Sequence, residues 1–304
     1  MATATVFEIN LVKLIEQFSD EDACRAYMEG LRWPNGMACL RCGSIEVSGR
    51  SKREQFECYS CNYQFTVTTG TIFHDTHLPI WKWFLATYLM IEGKKGISAL
   101  QMKRTLNVAY KTAWYLCHRI RKAMNEANPA SLKGVVEVDE TYVGGKQKGV
   151  GHGNRDNKTM VLGALERGGP VRMQVGQHAS RTELHAFIRS TVHPDNTSMI
   201  MTDDWSAYRG IGDENIQHVT VNHSAKEYVR GIAHTNGIEN VWSLLDRSIV
   251  GAFHHVSEKH LDRYLDELEW RFNNRENPYL FRDTMLKLLS SENLEYKTLT
   301  AKHV

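Results

Sequence analysis

The chain has 304 residues, 42% of them hydrophobic and 24% charged, with 37 basic against 35 acidic side chains and a net charge of +2. That size suits two or three domains, and the composition is that of a globular protein, which excludes a disordered or collagen-like chain. No stretch offers the roughly 18 consecutive apolar residues that a membrane helix needs, and residues 1–20 lack a cleavage signature, so no membrane partner and a cytoplasmic location are expected.

The first segment, residues 1–32, reads as helical. Leu11, Leu14, Ile15 and Phe18 recur at helical spacing, and Ser19, ahead of an acidic run, is expected to cap a second helix. Residues 33–72 follow as a turn-rich unit. There Cys39 and Cys42 are separated by two residues, then 15 residues intervene, then Cys58 and Cys61 repeat the spacing. A two-residue gap lets one turn of chain present two sulfurs to one ion, so the pattern predicts a structural zinc ribbon with four thiolate ligands. Gly43 and Asn62 suit the tight knuckle turns. Gln55–Glu57 and Tyr63–Val67 alternate as short hairpin strands do. Paired disulfides would require a secreted mini-domain, which neither the length nor the N-terminus supports. Cys24 and Cys117 stand apart from this pattern, and Cys117 is expected in the core.

Residues 78–128 read as a helical region. Trp81, Trp83, Phe84, Tyr88 and Leu89 supply one apolar face. From Lys94 to Lys122 the chain carries eight basic residues and no acid. Within this basic stretch, residues 97–124 predict a helix-turn-helix. Ser98 is the cap of its first helix, Leu100, Leu106 and Val108 are core, and the turn falls at Asn107. The second helix turns Ala113, Trp114, Cys117 and Ile120 inward. Tyr110, Lys111, Thr112 and Arg119 are expected to face outward, and with Lys103 and Arg104 they make the candidate contacts to DNA. An ordinary helical bundle has the same periodicity; the one-signed charge favours DNA. A linker is expected over residues 125–133.

From Gly134 onward short β-type runs replace the helices. Val135–Val143 alternates, yet carries Glu137, Asp139 and Glu140, and an acid within a buried strand is costly unless it meets a cation. Two further strands are expected over Thr159–Leu165 and Val171–Val175. A helix over Arg181–Thr191 and a strand over Ser198–Thr202 follow, ending at Asp203 and Asp204, and another helix begins near Ile238 and Glu239. Three strands, a helix, a strand ending in an acid, then a helix bearing an acid is the order of the RNase H-like fold. Asp139, Asp203 and Glu239 are the candidate catalytic acids, able together to hold two Mg²⁺ or Mn²⁺ ions. Asn236, one helical turn before Glu239, is an alternative third ligand, and 35 residues separate Asp203 from Glu239. The fold class expected is therefore α+β and multidomain: a zinc ribbon and helical DNA-binding region, then an RNase H-like α/β domain with a mixed sheet over residues 134–290, and a tail over 291–304.

Several motifs resemble those of the ISXO-like insertion-sequence DDE transposases. They are Trp33-Pro34-Asn35-Gly36, Thr69-Gly70-Thr71-Ile72-Phe73, Val138-Asp139-Glu140-Thr141-Tyr142-Val143-Gly144-Gly145, Thr202-Asp203-Asp204-Trp205-Ser206-Ala207-Tyr208, and His234-Thr235-Asn236-Gly237-Ile238-Glu239-Asn240-Val241-Trp242-Ser243. Two later ones, Gly251-Ala252-Phe253-His254-His255-Val256-Ser257 and Arg271-Phe272-Asn273-Asn274-Arg275, belong to the same set. The resemblance covers nearly the whole chain. It implies binding to terminal inverted repeats in double-stranded DNA, 3′-end cleavage and strand transfer into target DNA. It further implies dependence on Mg²⁺, a homodimer or higher oligomer on DNA, and a bacterial-type, nucleoid-associated setting. The catalytic acids it implies are Asp139, Asp203 and Glu239, with Asn236 as the alternative. The chain departs from the family about two turns after the third acid. A basic residue is usual there, but Asp246 occupies the place and Arg247 follows. Either Arg247 swings in to meet phosphate or this copy is impaired. Two other readings compete: a DNA-binding regulator derived from an inactive transposase, and an RNase H-like nuclease that degrades DNA without integrating it.

Overall fold

A computed structural model describes residues 9–49, 53–144, 158–178, 180–221 and 234–301; Gly145, the last residue of the Val138 motif, lies outside them. The chain divides into two compact units, one formed by Met1–Met124 with Glu276–Val304 and the other by Asn125–Arg275. The division between Met124 and Asn125 falls at the start of the expected linker.

The first unit opens with α1 (Leu11–Gln17) and α2 (Glu21–Arg32). Asp20, one residue after the expected Ser19, caps α2: its carboxylate accepts from the Ala23 amide at 2.7 Å. Asp20 carries a full charge to the positive end of the helix dipole, where a serine would offer only a hydroxyl. In α1 only Leu14 is buried, and Phe18 just beyond it; Leu11 and Ile15 face outward. The ribbon strands β1 (Phe56–Glu57) and β2 (Gln64–Phe65) pair antiparallel with Phe56 opposite Phe65. Next come α3 (Ile80–Glu92), α4 (Ala99–Leu106) and α5 (Tyr110–Met124). The Ser98 side chain caps α4 as expected, and Asn107 ends it in the left-handed conformation, φ 50° and ψ 60°. Met102 and Leu106, four apart, are the buried residues of α4, so Leu100 is exposed and not in the core. Trp81 likewise stands outside the α3 core.

In the second unit β3 (Leu132–Val143), β4 (Thr159–Glu166) and β5 (Val171–Gly176) form an antiparallel meander. Then come α6 (Arg181–Thr191), β6 (Val192–Asp203), β7 (Gln217–Val221), α7 (Asn236–Ser248) and α8 (Glu258–Asn273). The five strands lie in the order β5-β4-β3-β6-β7, with β3–β6 and β6–β7 parallel. This mixed sheet has the RNase H-like topology. Alternation divides β3 between two cores. Val136 and Val138 pack with Leu162, Ala164, Leu184 and Ile188 on the α6 side. The opposite face of the sheet packs Val161 and Leu165 against Ile238, Val241 and Leu245 of α7 and Leu265 of α8. At Gly163 the helix comes so close that a Cβ would lie 2.3 Å from the Trp242 ring.

The chain then returns to the first unit as α9 (Leu280–Ser290) and α10 (Tyr296–Thr300). Phe281 packs against Phe18 with tilted rings and edge-on against Phe84, which explains why residues 276–290 join the helical unit and not the sheet unit. Among the described residues no helix is long and apolar enough to cross a membrane.

Candidate catalytic, metal and nucleic-acid sites

Cys39, Cys42, Cys58 and Cys61 bring their sulfurs within 4.8 Å of one another. Gly43 at φ 74° and Asn62 at φ 53° make the two knuckle turns. The Cys39–Cys61 and Cys42–Cys58 sulfur separations are each 3.6 Å. A disulfide requires about 2.05 Å, whereas a tetrahedron of sulfurs about 2.3 Å from zinc spaces them about 3.8 Å apart. The site is therefore a structural zinc site. Cys24 and Cys117 are fully buried core residues.

The acids of β3 separate by alternation. Glu140 turns to the α6 side, where the Tyr208 hydroxyl donates to it at 2.7 Å. Asp139 turns to the α7 side, where its Oδ2 accepts from the Trp242 indole at 2.9 Å. Burial drives the Asp139 carboxyl up to about 7; Glu140 adds to that, the indole and backbone bonds oppose it, and Asp203 raises it further. The parallel register sets Glu137 against Met201, which brings Asp139 level with Asp203 two residues on and on the same face. Asp203 accepts from the Trp205 amide at 3.1 Å. Glu239 stands one helical turn before Trp242, exposed, with the Thr235 hydroxyl donating to its Oε1 at 3.0 Å. Asn236, the first residue of α7, is exposed too. Among the described residues only the four cysteines form a group of three or more ligands as tight as 4.8 Å, so the three acids are not drawn that close. Trp242 joins the site beyond the candidate residues, and its signal is its position three after Glu239 on the same helical face; Glu137 is named as an acid of the strand but not as a candidate catalytic residue.

On α4 and α5, Lys103, Arg104, Tyr110, Lys111 and Thr112 are exposed. Lys111 holds its ammonium 4.2 Å from the Tyr296 ring centroid. Arg119 departs from expectation: it is 4% exposed and cannot reach DNA. It lies on the stripe of α5 that faces residues 292–296, its guanidinium donating to His74 O at 2.7 Å and Asn293 Oδ1 at 2.9 Å while stacking on Trp83. Arg119→Ala is therefore expected to cost roughly 3 kcal/mol of stability, through lost charged hydrogen bonds and lost stem packing. Chemical denaturation of the full chain would register this as earlier loss of the helical unit. Unchanged stability with weakened DNA binding would reverse the assignment. Arg247 is exposed on α7, beside exposed Asp246, which shares the side of the helix that carries Glu239.

An ISXO2-like transposase domain matches residues 131–273 and a transposase zinc-ribbon domain matches residues 19–64. An uncharacterized transposase-like protein of Haemophilus influenzae is 35% identical over 90 residues, which are 30% of this chain and 70% of that protein. The chain belongs to the ISXO2-like transposase family. A protein described as an uncharacterized protein in transposable element ISH50 of Halobacterium salinarum is 28% identical to this transposase, over 84% of this chain and 92% of its own. A pre-cleavage Mos1 transpososome matches at 10% identity and a TM-score of 0.27, covering 70% of this chain and 80% of that one. Mos1 transposase in a paired-end complex matches at 12% and 0.28, over 69% and 80%. The sheet topology of the transposase is defined by its own strand order, β5-β4-β3-β6-β7.

Proposed function

We propose that this insertion-sequence transposase binds terminal inverted repeats, cleaves the 3′ ends and joins the freed hydroxyl to target DNA. In this reading Asp139, Asp203 and Glu239 hold two divalent ions, with Asn236 the alternative to Glu239. The observation that carries it is the level pair Asp139 and Asp203, on adjacent parallel strands and facing α7. Neither makes an ion pair among the described residues, and burial and neighbouring acids hold Asp139 up to about 7. A pair of carboxylates arranged so is short of positive charge. Its oxygen donors are those that hard divalent cations take. Mg²⁺ or Mn²⁺, when bound, supplies Lewis acidity and balances charge on the attacking and leaving oxygens. The chain's own part is orientation: Trp242 fixes Asp139, the Trp205 amide fixes Asp203, and Thr235 steers Glu239.

The DNA face in this reading is the last turn of α4 and the first turn of α5, bearing Lys103, Arg104, Tyr110, Lys111 and Thr112, with Arg247 serving the catalytic unit. Helix-turn-helix proteins read bases with the N-terminal part of their second helix. Removing Lys103 or Lys111 is expected to lower the salt slope of end binding by about one charge each. Pairing two ends calls for a dimer or higher oligomer on DNA, in a nucleoid setting.

The test is strand transfer in vitro with Mg²⁺ and oligonucleotides that carry the repeats flanking the coding sequence. Joined product is expected, and Glu239→Gln should abolish it. An active Glu239→Gln together with a dead Asn236→Ala would assign the third ligand to Asn236. Cleavage without joining would mark a nuclease, and binding without cleavage a regulator.

A further inference from the structure

Glu137 is 1% exposed, on the same face of β3 as Asp139 and two residues before it. A carboxylate so deeply buried needs partners. Its Oε1 accepts from Nε and Nη2 of Arg167 at 3.0 and 2.9 Å. Its Oε2 accepts from the Ile238 amide at 3.0 Å. Ile238 is in the first turn of α7, where backbone amides lack helical acceptors and the dipole favours an anion. Thr235, the residue ahead of α7, gives no side-chain cap, because its hydroxyl is turned to Glu239. Glu137 thus caps α7 from the neighbouring strand. The approach is close: a Cβ at Gly237 would lie 2.6 Å from Glu137 Oε2 and 2.7 Å from Leu165. Arg167, on the β4–β5 turn, completes the joint. Its Nη2 also donates to His234 O at 3.1 Å and touches the Met201 sulfur at 3.1 Å, while its backbone amide donates to Val135 O at 2.9 Å.

One ion pair therefore ties together β3 with Asp139, β6 with Asp203, and the start of α7 with Glu239. We propose that Glu137 and Arg167 are positioning residues that set the third acid against the other two, and so fix the affinity of the site for divalent cations. The inference rests on the two-ion reading. Partners that orient ligands in this way typically govern metal affinity by roughly 10–100-fold.

The experiment uses the full chain and Mn²⁺. Removing only Glu137 would strand the Arg167 charge and could unfold the protein, so both charges are removed together as Glu137→Gln with Arg167→Gln. A second variant, Gly237→Ala, pushes the helix start away and leaves every charge in place. Mn²⁺ binding is followed by electron paramagnetic resonance without DNA, and cleavage is followed as Mn²⁺ is raised. Both variants are expected to melt cooperatively and bind ends as the parent does. Half-saturation should move up by roughly 10–100-fold, and excess Mn²⁺ should restore cleavage, which a merely structural defect would not allow. Parental Mn²⁺ affinity in both variants, or a loss of cleavage that excess Mn²⁺ fails to rescue, overturns the proposal. Asp139→Asn run alongside separates the two failures: if it cleaves, the two-ion reading itself is wrong and the positioning role falls with it.

Discussion

Asp139→Asn is expected to abolish cleavage and strand transfer while making the metal-free protein more stable at pH 8. The second effect follows from charge. The Asp139 carboxyl is pushed up to about 7, chiefly by burial and then by Glu140. An unfolded aspartate ionises near 4. Between about pH 4 and pH 7 the folded chain therefore keeps a proton that the unfolded chain has lost. Stability falls as pH rises through that window and levels off above it. The deficit is a few kcal/mol at most, discounted because the side chain is only half-buried. Asparagine keeps the shape and the bond from Trp242 but carries no charge. Its melting temperature should lack that decline, and Mg²⁺ should raise the melting temperature of the parent more than that of the variant. Melting at pH 5 and pH 8, with and without Mg²⁺, measures both. A variant that still joins ends, or that declines with pH as the parent does, would remove Asp139 from the metal site.

Features set by local chemistry were legible in the sequence. Gly43 and Asn62 mark turns that need left-handed backbone, and both take it. Asn107 ends α4 for the same reason. Alternation along Val135–Val143 marks the strand that carries Asp139 and Glu140. The helix expected over Arg181–Thr191 has both ends where the structure places them. Features set by distant partners were not legible. Helical spacing cannot tell solvent from a returning segment, so it points Arg119 outward, whereas Asn293 and His74 enclose it. Leu100 and Met102 lie on different sides of one short helix, and only packing decides which is covered. β7 escaped notice because Gln217–Val221 buries only Val221; its pairing with β6 defines it, not an apolar run. Glu137 read as a neighbour of Asp139, because the amide it caps lies 101 residues away.

Cys58→Ser, or prolonged chelation, is expected to take the zinc from close to one per chain to nearly none and to unfold the ribbon. The ribbon has little else to hold it. Its two strands are two residues each, far short of what a hairpin needs to stand alone. Its core consists of Cys39, Phe56, Cys58 and Phe65, with Trp33, Met37 and Tyr63 packed alongside, so two of its four central residues are ligands themselves. In so small a unit the free energy of metal binding is the free energy of folding. Loss should stop there. Phe18, Tyr27, Phe84 and Phe281 form a separate aromatic cluster that shares no residue with the ribbon core, and the sheet unit has cores of its own. One link to the helices is Arg32 at the end of α2, which donates to the carbonyls of Val67 and Thr69 at 2.6 and 2.7 Å; Arg25, 3.8 Å from Glu54, is another. Release of Arg32 should fray that end of α2 and leave the rest. Metal analysis gives the stoichiometry, and limited proteolysis gives the extent, with new cuts confined to about residues 33–70 and the sheet unit melting as in the parent. A ribbon that resists protease with less than about a tenth of a zinc per chain would show that packing, and not the metal, holds it.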